Sequence, residues 1–180
     1  MSPAHKKALF VVLVLMAAPA VRAAPADDGC VDFKWDVNKE RALFAGEPTG
    51  LTSGKDATSA PVVVPNRLYK LRFLPQDQVA FAASPAKQAA SKSAYAGLAA
   101  LRISMPGSYR ISVDLPFWID VVSDGALVAA RDFQGQHACR APHKIVEFEL
   151  AGVQPFILQF SNAASDSILL TVTASPARKL

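Results

Sequence analysis

The sequence predicts an all-β fold, an antiparallel β-sandwich of jelly-roll-like type, with one short N-terminal helix. Three observations predict it. From residue 61 onward apolar and polar residues alternate with period two, the spacing that puts one row of side chains on each face of a strand. Turn residues such as Pro106-Gly107, Asp124-Gly125 and Ala151-Gly152 interrupt these runs at short intervals. Good helix formers gather only in Asn38–Ala45. About eight or nine short strands at this spacing point to a sandwich or barrel.

Taken in order, Val31, Phe33, Trp35 and Val37 alternate with Asp32, Lys34 and Asp36, which predicts a short first strand. The helix over Asn38–Ala45 follows, with Gly46 placed as its C-cap glycine. Glu47–Ser59 is rich in Gly, Thr, Ser and Pro and reads as an irregular connection. Leu68–Phe73 alternates, and Val79 and Phe81 begin a second run. The Ala/Ser/Lys segment Ala83–Gly97 reads as a separator; Pro85 and its serines weaken a helical alternative. Leu98–Met105 precedes a turn, after which Tyr109, Ile111 and Val113 share one face. Beyond Pro116, Phe117, Ile119 and Val121 face one way, Asp124-Gly125 signals a hairpin, and Leu127–Arg131 forms a short strand. Gln134–Pro142 is a polar loop. Val146, Phe148 and Leu150 then alternate with Ile145, Glu147 and Glu149, and Phe156, Leu158 and Phe160 with Gln159 and Ser161. Asn162–Ser167 is a loop, and Ile168–Thr173 closes the sheet. The expected core is Ile111, Val113, Val146, Phe148, Leu150, Phe156, Leu158 and Phe160.

The N-terminus reads as an export signal. Basic His5, Lys6 and Lys7 lead into an apolar stretch from Ala8 to Ala18, and Val21 and Ala23 suit the −3 and −1 positions of a cleavage site. The apolar stretch falls short of the roughly 20 residues that cross a bilayer, so no membrane span is expected after removal of the signal. The domain scheme is therefore residues 1–23 as signal peptide and 24–60 as N-terminal strand, helix and connection. Residues 61–175 form a sandwich that makes a single domain with 24–60, and 176–180 are a tail. Losing Lys6, Lys7 and Arg22 takes the 19 Lys+Arg to 16 against 15 acids, a net charge of +1. Without a clustered basic face, a nucleic-acid partner is not expected. The expected location is the periplasm or outside the cell.

In that oxidising setting the two cysteines, Cys30 and Cys139, read as a disulfide. Closing a ~100-residue loop contributes at most ~4.7 kcal/mol in the chain-entropy picture. His137-Ala-Cys139-Arg-Ala-Pro-His143 supplies the alternative, a metal-handling protein using His137 and His143. A copper site would need an axial Met, yet the last Met is Met105, and structural zinc needs four ligands. The two imidazoles are therefore expected to point apart or to be separated by more than coordination allows, with no Asp or Glu completing a shell, and no cofactor is expected.

Other chemistry has little support. Ser84-Pro-Ala-Lys87 matches an S-x-x-K nucleophile pattern, but no Lys-Thr-Gly accompanies it, so it reads as a solvated loop. Gly54-Lys55 lacks both the first glycine and the Ser/Thr of a phosphate loop. No Gly-x-Ser-x-Gly elbow is present, and the protein reads as non-enzymatic. The binding candidates are Trp118 and Asp120, which fall opposite Phe117, Ile119 and Val121. An outward Trp beside a carboxylate suits a peptide, protein or glycan surface of the cell envelope. The helix or the N-terminal strand covering that sheet would suit the same pattern equally well.

The run Gly107-Ser-Tyr-Arg-Ile-Ser-Val-Asp, with Asp120-Val-Val-Ser-Asp-Gly and Leu158-Gln-Phe-Ser, resembles the pre-peptidase C-terminal type of secreted β-sandwich over residues 98–173. It is similar, too, to exported Gram-negative β-sandwich proteins. That resemblance implies an accessory, non-catalytic domain and carries over no functional residues.

Overall fold

The computed structural model describes residues 33–87, 93–139 and 141–176. The proposed signal peptide, Cys30 and Val31 lie outside them.

Period-two alternation decides which side chains meet. In the strand Lys144–Leu150 it puts Val146, Phe148 and Leu150 inward, and in Phe156–Ala163 it does the same for Phe156, Leu158 and Phe160. All eight expected core residues join one cluster, completed by Tyr69, Leu71, Phe73, Ile119, Val121, Ile168, Leu170 and Val172 among others. The cluster lies between two sheets, and the protein is an all-β sandwich.

The strands are β1 (Thr49–Thr52), β2 (Val62–Val63), β3 (Leu68–Arg72), β4 (Leu74–Pro75), β5 (Tyr95–Leu101) and β6 (Gly107–Val113). They continue as β7 (Trp118–Ser123), β8 (Ala126–Val128), β9 (Ala130–Gly135), β10 (Lys144–Leu150), β11 (Phe156–Ala163) and β12 (Ser167–Ala174). The first sheet runs β1-β3-β12-β6-β10-β9, and the second β2-β5-β11-β7-β8 with β4 also on β5. Pairing is antiparallel except for β1 on β3 and β2 on β5, which are parallel and lie at one edge of each sheet. Asp124 and Gly125 both take the left-handed conformation, with φ 50° and 78°, as a tight β7–β8 hairpin requires.

The helix α1 spans Asn38–Phe44 and packs on β12. Gly46 stays out of the left-handed region; its N–H closes a tighter last turn on the Leu43 carbonyl at 3.0 Å. Among the described residues, no helix is long and apolar enough to cross a membrane.

Several expected elements differ. Residues 33–37 form no strand, because their partners are side chains: Lys34 N–H donates to Gln134 Oε1, and the Asp36 carbonyl accepts from Arg110. Thr49–Thr52, expected to be irregular, is an edge strand whose mostly exposed side chains leave no apolar alternation to read. Val79 and Phe81 start no strand, since the Ala80 N–H between them goes to the Lys55 carbonyl at 2.7 Å. The single strand expected over Leu127–Arg131 is two, β8 in one sheet and β9 in the other, with β9 extending to Gly135.

Candidate functional site

Segment 76–87 is laid across the outer face of the second sheet, and the outward row of that sheet holds it by its backbone. Gln159 accepts from Ala83 N–H at 3.3 Å and donates to the Ala83 carbonyl at 3.0 Å. Asp120 Oδ2 accepts from Ala86 N–H at 3.2 Å. Asp120 is thereby buried, as are Gln159 and Ser161. This face is covered, but by this loop and not by the helix or an N-terminal strand; α1 packs on the other sheet.

Trp118 stands at the margin of the cover and is half-buried. Its indole N–H donates to Asp120 Oδ1 at 2.8 Å, so the two sequence candidates form one unit. That bond fixes the ring plane while Asp120 is itself fixed by Ala86.

Two ammonium groups flank the ring. Lys144 Nζ lies 5.3 Å and Lys87 Nζ 5.6 Å from its centroid, within cation–π range. Lys144 shares the inward parity of Val146 and Phe148 on β10, at the end of the sandwich, so its stem is partly buried and its Nζ donates to the Phe117 carbonyl at 2.8 Å. Burial, reinforced by the like charge of Lys87 and opposed by Asp120, pulls the Lys144 pKa below the ordinary lysine range. The folded chain thus gives up this proton more readily than the unfolded chain. Stability rises with pH between the lowered value and the ordinary one, and at neutral pH the ammonium weakens the fold.

Lys87 is placed by a strand irregularity. The register of β11 against β5 shifts between Phe160 and Ala163, and Asn162 within the shift takes φ 57°. Asn162 N–H donates to Gln76 Oε1 at 2.8 Å, and its side-chain amide donates to the Lys87 carbonyl at 3.2 Å. Lys87, Pro116, Phe117, Trp118, Lys144 and Asn162 line an open cavity of about 320 Å³. On its other side, Trp118 and Lys144 also line an apolar notch of about 80 Å³ with Ile119, Ala130, Phe133 and Val146. Phe133, 67% exposed, forms its outer lip. Among the described residues, neither Lys87 nor Lys144 has a carboxylate within ion-pair distance.

The histidines are elsewhere. His137 is exposed and His143 buried, and their rings meet edge to face with centroids 5.9 Å apart. The loop neck causes this: Gln136 N–H donates to the His143 carbonyl at 2.8 Å and brings the two ends together. His143 Nδ1 bonds the Cys139 carbonyl at 3.0 Å. Among the described residues, no three His, Cys, Asp or Glu side chains are grouped to hold a metal. Cys139 is fully buried and is not a free thiol; Cys30 lies outside the described residues.

Sequence reasoning missed Lys144, Lys87, Asn162 and Phe133. Lys144 was readable, because carrying the inward row of β10 back two positions from Val146 reaches it. Lys87 was not, since a register shift in another strand positions it.

On the outer face of the first sheet, Arg110 Nε lies 3.3 Å from Glu147 Oε2, and its NH1 lies 3.8 Å from Glu40 Oε1. Trp35 covers this buried group, with the Arg110 guanidinium 4.9 Å from its ring centroid. Thr173 Oγ1 and Ser175 Oγ donate to Glu40 and Glu147, so the cluster satisfies itself and reads as the seat of α1.

Comparison with protein-family models, with curated proteins and with solved structures finds no match.

Proposed function

We propose that this chain is an exported, disulfide-tied, non-catalytic binding protein of the cell envelope, and that the Trp118 cavity is its ligand-contact surface. One observation carries the reading. A half-buried indole is locked by Asp120, flanked by two ammonium groups with no carboxylate partner among the described residues, and opens on both a polar cavity and an apolar notch. A rigid aromatic beside polar donors gives contact area at little entropic cost, which suits a peptide or glycan chain. The accessory role that the pre-peptidase C-terminal resemblance implies fits a domain that binds without transforming. The Ala8–Ala18 stretch supports export, and the buried, engaged Cys139 supports a bridge to Cys30.

Two experiments test this. An array of cell-envelope peptides and glycans, probed with the oxidised protein and with Trp118→Ala, should show ligands retained by the first and lost by the second, with melting temperatures alike. Equal retention by both proteins would refute the assignment. Peptide mapping without reductant should recover Cys30 and Cys139 in one linked pair of peptides; two separately alkylated cysteines would contradict the bridge.

A further inference from the structure

We propose that the Trp118 cavity recognises a free carboxylate carried next to a short apolar group, the chemistry of a peptide C-terminus ending in an aliphatic residue. This rests on the reading of Trp118 as the contact surface and names its ligand class.

Three features of the site select that chemistry. The first is charge. Lys144 uses one of its three donors on the Phe117 carbonyl, and Lys87 is exposed, so both ammonium groups retain N–H donors for an anion in the cavity they share. The nearest acid, Asp120, is already bonded to the Trp118 indole, Ala86 and Gln159. The charged groups facing Lys144 are thus Lys87, which repels it, and Asp120, whose oxygens are engaged. A bound carboxylate would supply the missing counter-charge.

The second is apposition. Lys144 and Trp118 line both the cationic cavity and the apolar notch. An anion at the lysines therefore lies beside whatever fills the notch, as an α-carboxylate lies beside its own side chain.

The third is size. A notch of about 80 Å³ has room for one short aliphatic group between Phe133, Ile119 and Val146, and not for an acyl chain. The depressed pKa of Lys144 agrees with this assignment. A partly buried ammonium kept at a cost to stability is common where a ligand provides the partner.

The test uses the oxidised full chain with N-acetyl-Ala-Leu as its free acid and as its C-terminal amide, followed by calorimetry and by NMR of the lysine side chains. The acid should bind at least about tenfold more tightly than the amide, the scale of one charge-assisted hydrogen bond. It should raise the Lys144 pKa, and the amide should not. Lys87→Met and Lys144→Met should each bring acid and amide together, and Lys144→Met should melt no lower than the parent, since it removes a buried charge. Arg131→Met, which removes an exposed cation paired with Glu149 rather than one lining the cavity, should change nothing. Phe133→Ala should weaken N-acetyl-Ala-Leu more than N-acetyl-Ala-Gly.

If acid and amide bind alike and both are lost in Trp118→Ala, the carboxylate assignment falls and the contact surface stands. If the preference for acid survives Trp118→Ala and both lysine variants, the acid binds elsewhere and both readings fall. Absence of binding by either ligand at millimolar concentration overturns the carboxylate assignment, and the array then judges the surface separately.

Discussion

Arg110→Ala is expected to cost ~3–5 kcal/mol, because it leaves the buried carboxylates of Glu40 and Glu147 without their cation. The guanidinium also donates to the Asp36 carbonyl at 3.1 Å, so its loss releases residues 33–37 and α1 from the first sheet. The deficit is read from urea unfolding. A triple variant, Glu40→Gln, Arg110→Met and Glu147→Gln, should recover much of the loss, since a neutral cluster carries no uncompensated charge. A cost under ~1 kcal/mol for Arg110→Ala would show that the cluster does not hold the helix in place.

Phe160→Ala is expected to cost a similar ~3–5 kcal/mol, the range for emptying a fully buried aromatic site. Phe160 packs against Phe73, just after β3, and Phe117, just before β7, with ring centroids 5.6 and 6.0 Å away. Phe117 in turn offers the carbonyl that holds Lys144. The substitution should therefore loosen the Trp118 site as well as the core, whereas Phe160→Leu should cost less and preserve the site. Thermal unfolding with both variants checks the order. Equal stability of Phe160→Ala and the parent would contradict a packed core at this position.

The parts of the fold that depend on local alternation were legible in the sequence. Val146, Phe148 and Leu150 announce an inward row because a half-buried strand has no other economical pattern, and Asp124-Gly125 announces its hairpin because both residues tolerate the left-handed backbone. The parts that depend on distant partners were not. Phe33, Trp35 and Val37 alternate as a strand would, yet their neighbourhood is fixed by Arg110 and Gln134 across the face of the sheet. Thr49–Thr52 gains its strand from pairing with β3, which its own residues do not encode.

The candidate site divides the same way. Parity placed Trp118 and Asp120 together, and the hydrogen bond between them follows from that. Lys87 reaches the ring through the Asn162 amide and the shifted register of β11, a relation between segments far apart in the chain. The approach of the two histidine rings is of the same kind. Its geometry is set by a backbone bond at the loop neck, which no residue type signals.

The chain's two tryptophans, Trp35 and Trp118, report on opposite sheets through separate indole N–H resonances, and this gives the most direct test of the account. Titration of isotope-labelled, oxidised protein with N-acetyl-Ala-Leu free acid should shift the Trp118 indole resonance along a saturable curve and leave that of Trp35 in place. Movement of Trp35 with Trp118 unmoved would put binding on the opposite sheet and contradict the account.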